Sequence, residues 1–163
     1  MTTATHAEHR ETPTDTADPT THATGPVLIV GGTGFIASAI LTQLLHSHGT
    51  PDHRPHLHVL SRKAHPNTDN DRIRHVIGDL TEPAGLKNIC AGIETVVHAA
   101  SYVGPDPHQC KAVNHIGTRA LLHEAHRHGV QHFLYISTAA VYGTGPHHGP
   151  HEEQINPAPT SIA

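Results

Sequence analysis

From residue 27 onward, short apolar runs alternate along the chain with longer stretches in which an apolar residue recurs every three or four positions. The short runs have the β-branched residues that are typical of strands buried in a parallel sheet, and the longer stretches have the period of helices that bury one face. This alternation predicts an α/β fold. The predicted strands are VLIV (27–30), HLHVLS (56–61), IRHVI (73–77), TVVHAA (95–100) and HFLYIS (132–137), and the predicted helices span about 35–48, 83–90 and 109–128.

The first 25 residues have a different character. They are rich in Thr, Pro and Asp and contain no Val, Leu, Ile or Phe. Such a segment buries too little apolar area to offset the entropy that it loses on ordering, so we expect residues 1–25 to form a disordered tail. Its acidic residues argue against a transit peptide. Residues 26–163 are long enough for one domain with one hydrophobic core.

Composition and charge restrict the partners and the compartment. The 163 residues carry a formal net charge of -4 at pH 7 without a basic stripe, which gives no electrostatic reason to expect a nucleic-acid partner. No apolar run reaches the roughly 18 residues of a membrane span. Cys90 and Cys110 form no CxxC pair, and the N-terminus lacks the apolar core of a secretory signal. We therefore expect a cytoplasmic protein without disulfide bonds.

The stretch VLIVGGTGFIA, residues 27–37, runs a strand into a turn with almost no side chains. A strand, a glycine-rich turn and a helix together bring helix N-terminal amides up to a pyrophosphate. Gly31 would allow the sharp turn, Gly34 the approach of phosphates, and Ala37 the close packing of helix on strand. The alternative is a glycine-rich turn that only connects the two elements. The candidate dinucleotide-binding residues here are Gly31, Thr33, Gly34, Phe35 and Ile36.

The end of the second predicted strand bears on which dinucleotide would bind. It reads Ser61, Arg62 and Lys63, whereas a site for the free ribose 2′-hydroxyl would have Asp or Glu there. Arg62, supported by Lys63, would instead pair with a 2′-phosphate. The sequence thus favours NADP over NAD, and the alternative is a solvated basic turn.

The third and fourth strand ends add further candidates, because ligands of open parallel sheets collect at the carboxyl ends of the strands. Asp79, followed by Leu80, would accept a hydrogen bond from the adenine amino group, or it would cap the helix that follows. Ala99, Ala100 and Ser101 are small enough to leave room beside a cofactor.

Five segments together resemble the extended short-chain dehydrogenases/reductases, which include sugar-nucleotide epimerases and dehydratases and 3β-hydroxysteroid dehydrogenase-like enzymes. In chain order they are VGGTGFIA, GDLT (78–81), VVHAAS (96–101), VNHIGTRALLHEAHRHGV (113–130) and FLYISTAAVYG (133–143). The resemblance implies a Rossmann-type doubly wound parallel sheet, truncated here after about the fifth strand, with a nicotinamide cofactor. Residues 26–163 would then be an NAD(P)-binding domain that is incomplete at its C-terminus. Ala37 replaces the third glycine of the family's turn.

The family's catalytic residues are matched only in part. Its enzymes use a Ser or Thr, a Tyr, and a Lys four residues after that Tyr, and the Tyr moves the proton that accompanies hydride transfer. The resemblance assigns the catalytic hydroxyl to Thr138, places Ser137 with the cofactor site, and matches Asn114 to an Asn that helps to organise the site through water. No Tyr in the sequence has a Lys four residues later, and the family's spacing puts the Tyr at Ala163.

Two functions are consistent with these features. One is an NAD(P)-dependent oxidoreductase or epimerase that acts by hydride transfer on a sugar-nucleotide or sterol-like alcohol or ketone, with this chain as its cofactor-binding part. The other is a catalytically inactive NADP-binding or regulatory module. In either case we expect the apolar face of FLYI and one side of the helix over 109–128 to lack cover, so that the chain self-associates.

Twenty histidines raise the question of a metal site. HEAH at 123–126 is one residue short of the HExxH spacing that places two imidazoles on one helical face. HHGPHEE at 147–153 puts three imidazoles and two carboxylates on a loop without a fixed scaffold. We therefore predict no dedicated metal site, and we expect His98 to be packed beside the cofactor strand without a catalytic role.

Overall fold

The structure is a computed structural model that describes residues 25–46, 55–63 and 71–142. Three of the predictions fall outside these ranges: the tail over residues 1–24, the HHGPHEE loop, and the alignment of the family's Tyr with Ala163. The elements and contacts that follow belong to the described residues.

The described residues fold around a parallel sheet of five strands. β1 is Val27–Val30, β2 is Leu57–Ser61, β3 is Ile73–Ile77, β4 is Thr95–His98 and β5 is His132–Tyr135. Their order is β3-β2-β1-β4-β5, and every neighbouring pair is parallel. The predicted α/β fold with a doubly wound parallel sheet is confirmed. β2, β4 and β5 are one or two residues shorter than predicted, because the flanking residues already belong to connecting segments.

Helices flank this sheet. α1 spans Phe35–His46, α2 spans Pro107–Cys110 and α3 spans Thr118–Arg127, while Pro83–Leu86 and Ala139–Tyr142 form single 3₁₀ turns. A π-type stretch, Lys111–Gly117, joins α2 to α3. None of the helices in the described ranges has the length and apolar character that a membrane crossing requires.

The prediction of one α-helix over 109–128 is wrong in two respects. The helical segment already begins at Pro107, because Asp106 Oδ1 accepts hydrogen bonds from the amides of His108 (2.8 Å) and Gln109 (3.4 Å). It also widens into the π-type stretch, which the sequence period does not reveal. The predicted helix over 83–90 is shorter as well, and the φ of 65° at Asn88 is incompatible with a continuing helix.

Alternation along the strands divides the core between the two faces of the sheet. On one face, Leu28 and Val96 belong to a buried cluster with Leu121 of α3. On the other face, Ile29 belongs to a cluster with Ala37, the fully buried residue of α1. The small side chain at Ala37 therefore allows the close packing of helix on strand that the sequence predicts.

The residues on and after β5 leave apolar surface open. Leu134, Tyr135 and Ile136 are 50, 46 and 37 % exposed. Leu134 lies opposite Val97 in the sheet register, so it is on the face that carries α1. Among the residues that the structure describes, this end of the sheet is therefore only partly covered.

Candidate functional site

A cleft of about 350 Å³ opens at the carboxyl ends of the strands, where β1 and β4 separate. β2 and β3 continue the sheet on one side of β1, whereas β4 and β5 continue it on the other. Such a topological switch point is where open α/β sheets bind their ligands. The cleft is therefore the candidate site.

The turn after β1 leads directly into the N-terminus of α1 at this cleft. Gly31 has a φ of 87°, a left-handed conformation that glycine adopts readily. The Gly34 amide donates to the Gly31 carbonyl (2.7 Å), and the Ser38 amide then donates to the Gly34 carbonyl (2.9 Å). The amides of residues 35–37 precede the Ser38 bond, so they are N-terminal donors that the helix does not use itself. With the positive end of the helix dipole, they favour a phosphate at this position.

Two of the glycines in this turn are also required by packing. A Cβ on Gly31 would lie 2.9 Å from the backbone N and Cα of Ala100, and a Cβ on Gly32 would overlap Cγ1 of Val59. Gly34 is different, since it is exposed and the nearest atom to a Cβ there would be the Gly31 carbonyl oxygen, at 3.1 Å. The turn thus has the packing role that the sequence left open, and Thr33 is the one residue of positions 31–34 that carries a side chain.

The end of β2 brings one basic residue to the cleft. The buried Ser61 hydroxyl donates to the Lys63 carbonyl over 2.8 Å, which fixes the turn. Arg62 and Lys63 are both exposed, but Arg62 lines the cleft and Lys63 lies outside its lining. The structure therefore separates two basic residues that the sequence grouped together.

Asp79, after β3, has the capping role that the sequence gives as one of its two alternatives. It lines the cleft, and its Oδ1 accepts hydrogen bonds from the Thr81 amide (2.9 Å) and the Thr81 hydroxyl (2.8 Å). These bonds cap the turn that follows and fix the orientation of the carboxylate through one oxygen. Leu80, which is 7 % exposed, belongs to the same wall.

The opposite wall is formed after β4. Ser101 and Tyr102 line the cleft there, together with Gln109 and Val113 from the helical segment. Asn114 lies behind this wall, and its side-chain amide is hydrogen-bonded to the main chain of Tyr102. The wall is thus supported by the helical segment that follows it.

His98, the last residue of β4, is packed in the core. It is fully buried, its Nε2 lies 2.8 Å from the Thr118 hydroxyl, and its ring contacts those of Tyr135 and Phe133 at centroid distances of 5.3 and 6.3 Å. Burial lowers the pKa of His98 to about 4, so the ring is neutral at pH 7. The expectation that His98 is a packed residue is confirmed by its burial.

The described histidines and cysteines form no metal-ligand cluster. Within residues 25–46, 55–63 and 71–142, no three His, Cys, Asp or Glu side chains are grouped so that they could hold a metal ion. Cys90 and Cys110 are buried and form no disulfide bond. Burial, assisted by the charge of Glu124, raises the pKa of the Cys90 thiol to about 11, so Cys90 is unreactive at neutral pH.

The cleft brings together most of the candidate residues. Those that line it are Gly31, Thr33, Gly34, Arg62, Asp79, Leu80, Ala99, Ala100 and Ser101. The side chains of Phe35 and Ile36 are 92 and 49 % exposed outside the lining. Ser137 and Thr138 are exposed just beyond β5, also outside it.

Sequence reasoning missed several lining residues. Ser61, Gly78, Thr81 and Tyr102 adjoin predicted positions, so the strand-end rule would have included them if it had been extended by one residue. Gln109 and Val113 reach the cleft from the helical segment, and no local pattern marks them.

A model of the NAD dependent epimerase/dehydratase family matches residues 27–162. The chain is 34 % identical over 139 residues to dTDP-glucose 4,6-dehydratase of Streptomyces griseus, covering 78 % of this chain and 41 % of that protein. It is 31 % identical over 122 residues to sterol-4-alpha-carboxylate 3-dehydrogenase, decarboxylating, of Mus musculus, covering 72 % and 31 %.

Solved structures share the fold. The Bordetella bronchiseptica enzyme WbmH in complex with NAD+ aligns with a TM-score of 0.68 at 23 % identity, over 84 % of this chain and 47 % of WbmH. Uronate dehydrogenase from Agrobacterium tumefaciens aligns with a TM-score of 0.68 at 19 % identity, over 82 % and 48 %. The chain spans less than half the length of each of these four proteins.

Proposed function

The chain belongs to the NAD dependent epimerase/dehydratase family, and on that premise we propose that the cleft between β1 and β4 binds a nicotinamide dinucleotide. The observation that carries the proposal is the N-terminus of α1, whose amides at 35–37 open beside a glycine-rich turn at the topological switch point. Small residues lie where a dinucleotide would pass, so the residues present fit such a ligand.

In this proposal the pyrophosphate lies against the first turn of α1. The adenosine half extends towards the ends of β2 and β3, and the nicotinamide half extends towards the end of β4. Asp79 accepts a hydrogen bond from the adenine amino group, while Ala99 and Ala100 leave space beside the nicotinamide. A bound nicotinamide supplies hydride-transfer chemistry, which the protein itself only positions and shields.

We further propose that the cofactor is NADP. Arg62 is the basic residue at the end of β2 that lines the cleft, and a guanidinium pairs well with a phosphate. Asp or Glu, which would favour the free 2′-hydroxyl of NAD, is absent from positions 61–63.

For the whole protein we propose hydride transfer on an alcohol or ketone of a sugar nucleotide or a sterol-like substrate. The support is the family and the names of relatives that act on dTDP-glucose and on a sterol carboxylate. Thr138, just beyond the strand that neighbours β4, is the proposed hydroxyl residue that positions the substrate oxygen.

An NADP-binding module without turnover is the second candidate. It shares the proposed cofactor site and differs from the enzyme only in the absence of turnover. Oxidoreductase activity of the full gene product, lost on Thr138→Val, would support the enzyme. Cofactor binding by that product without any turnover would support the module.

The proposed cofactor role is tested by fluorescence titration of this chain with NADPH and NADH. We expect NADPH to bind more tightly than NADH, and Arg62→Ala to remove that preference by weakening NADPH on the order of tenfold, as the loss of a charge-assisted pair does. Lys63→Ala is the matched control, because Lys63 is exposed and outside the cleft lining.

Each possible result of this titration refutes a different part of the proposal. If neither cofactor binds, the dinucleotide site is wrong. If both bind and Arg62→Ala changes nothing, the site stands and the assignment of NADP through Arg62 is wrong. If Lys63→Ala weakens NADPH as much as Arg62→Ala does, general positive charge explains the preference.

A further inference from the structure

The wall of the cleft after β4 presents hydrocarbon surface. Tyr102 and Val113, which are both half-buried, line the cleft there. Val103 follows Tyr102 in the chain, and its side chain is 94 % exposed. The segment over residues 99–105 reads AASYVGP and carries no charged residue. An exposed valine beside a lining aromatic ring is a surface that gains free energy when an apolar partner covers it.

The ring is the part of Tyr102 that faces a ligand, because the polar atoms of this residue bond within the chain. The Tyr102 hydroxyl accepts a hydrogen bond from the Asp106 amide (3.4 Å) and lies against its own loop, where a Cβ on Gly104 would overlap it. The Tyr102 amide donates to Asn114 Oδ1 (2.8 Å), and the Tyr102 carbonyl accepts from Asn114 Nδ2 (2.9 Å). These bonds leave the aromatic ring for contact with a ligand.

The polar side chains next to Tyr102 are also used within the chain. The Ser101 hydroxyl donates to Asn114 Oδ1 over 3.4 Å. Asp106 Oδ1 accepts hydrogen bonds from the amides of His108 and Gln109, as the cap of α2. The Gln109 side chain lines the cleft, so it brings one amide group to this wall. The wall therefore combines apolar surface with few groups that can hydrogen-bond to a ligand.

The substrate of a hydride transfer lies against this wall if the dinucleotide binds as proposed. The carbon that exchanges the hydride must contact the nicotinamide, and the nicotinamide half extends towards the end of β4. A sugar carries a hydroxyl on almost every carbon, and each hydroxyl that loses its water here needs a protein group in its place. A steroid carries one oxygen at the reacting carbon, and its fused rings gain from contact with apolar side chains.

We propose that Tyr102, Val103 and Val113 form the substrate-facing surface of this wall, and that the substrate is a sterol-like alcohol or ketone and not a sugar nucleotide. This inference rests on the proposed dinucleotide site, and it selects one of the two substrate classes that the proposed function leaves open. Val103 is the specificity-determining residue that is simplest to test, because its exposed side chain contributes nothing to the core.

The test measures the binding of two probes to the chain saturated with NADPH, by NMR titration of the backbone amides. One probe is androstanol, a steroid with a single hydroxyl, and the other is dTDP-glucose. Bound NADPH keeps the nucleotide part of dTDP-glucose out of the dinucleotide site, and it offers no hydride acceptor to an alcohol, so binding is measured without turnover. We expect androstanol to give saturable shifts at Tyr102 and Val103, and dTDP-glucose at the same concentration to give none.

Two variants test the character of the wall. We expect Val103→Asp to weaken androstanol on the order of tenfold, because an apolar contact is replaced by a carboxylate that would lose its water. We expect Tyr102→Phe to keep the affinity for androstanol within about twofold, because the hydroxyl that it removes bonds to the Asp106 amide. A substrate that hydrogen-bonds to the Tyr102 hydroxyl would instead bind more weakly to Tyr102→Phe.

Ile77→Asp is the matched control for Val103→Asp. Ile77 is 62 % exposed at the end of β3 and lies outside the cleft lining, so the variant places the same charge on a different apolar surface position. We expect Ile77→Asp to leave the affinity for androstanol within about twofold. The affinity of each variant for NADPH is measured first, so that the cofactor site stays saturated.

The inference is overturned if androstanol does not bind to the NADPH-loaded chain, or if dTDP-glucose binds as tightly as androstanol does. It is also overturned if Val103→Asp binds androstanol as the wild-type chain does, if Ile77→Asp weakens it equally, or if Tyr102→Phe loses the affinity. A wild-type chain that binds neither NADPH nor NADH overturns the proposed function together with the inference. Intact NADPH binding without androstanol binding removes the inference alone.

Discussion

Replacing Gly31 by alanine perturbs the turn at the point where strand, helix and cleft meet. Gly31 has a φ of 87°, and a Cβ would lie 2.9 Å from the backbone of Ala100. The clashing atoms are main chain at the end of β4, so they cannot move aside as a flexible side chain would. Both the backbone conformation and the packing therefore oppose the substitution.

The two effects are of similar size. A left-handed φ costs an alanine about 1–2 kcal/mol. Forcing an extra methyl group into a packed site costs about 1–3 kcal/mol. Together they lower the free energy of unfolding by about 2–5 kcal/mol, which corresponds to a fall in melting temperature on the order of 10 °C for a chain of this length.

Substitutions at two other glycines distinguish the cost of the backbone conformation from the cost of packing. Gly92 has a φ of 72°, and nothing lies within 4 Å of a Cβ there, so Gly92→Ala should show only the conformational loss of about 1–2 kcal/mol. Gly85 likewise has open space around a Cβ, and its φ lies outside the left-handed region, so Gly85→Ala should be neutral to within about 0.5 kcal/mol.

Urea and thermal denaturation followed by circular dichroism measure all three variants. We expect the order of destabilisation to be Gly31→Ala, then Gly92→Ala, then Gly85→Ala. A Gly31→Ala variant that loses no more stability than Gly92→Ala would refute the reasoning, because the close approach of β1 and β4 would then contribute nothing.

Four further predictions concern stability and assembly. Burial lowers the pKa of His98 from 6.5 to about 4, so between those pH values only the unfolded chain takes up this proton, and up to ~3 kcal/mol of stability is lost as the pH falls through that range. In urea titrations at several pH values, the free energy of unfolding of His98→Gln should depend less steeply on pH than that of the wild-type chain. Equal pH dependence of the two would contradict this prediction. The hydrogen bond from Arg127 lowers the pKa of Glu124, so Glu124→Gln should destabilise the chain slightly at pH 7 and by less once the pH falls below 4.5, because solvent screens this exposed pair. Equilibrium unfolding at the two pH values measures the difference. Arg72 donates to the last two leucine carbonyls of α1 at 2.8 and 3.1 Å, and Arg72→Met should cost about 1–2 kcal/mol by the same measurement; an unchanged midpoint would show that these bonds add nothing. The exposed apolar residues on and after β5 lead us to expect self-association, which light scattering from a clean monomer would contradict.

The fold was predictable because its main features follow from short segments of the sequence. Apolar runs such as VLIV recur at intervals that only a parallel sheet with intervening helices accommodates, and the turn after β1 uses glycine for reasons of backbone geometry. The strand ends then located the cleft, since parallel strands bring their carboxyl ends to one edge. Arg62 and Asp79 were found in this way.

The features that the sequence did not reveal depend on contacts between distant segments. The π-type stretch follows no apolar period, and it is where Asn114 bonds to Tyr102 and Gly117 packs on Leu80. Gln109 enters the lining because the whole helical segment crosses the cleft. The capping role of Asp79 became visible only in the structure, where its Oδ1 accepts two hydrogen bonds from Thr81.

The central claim is that the backbone amides at the N-terminus of α1 receive the phosphates of a dinucleotide. Amide chemical shifts recorded by NMR during a titration with NADPH test it directly. The account predicts the largest shifts at Gly34 and at residues 35–37, with smaller shifts at Arg62 and Asp79. Saturable binding that leaves these amides unmoved and shifts a different surface would contradict it.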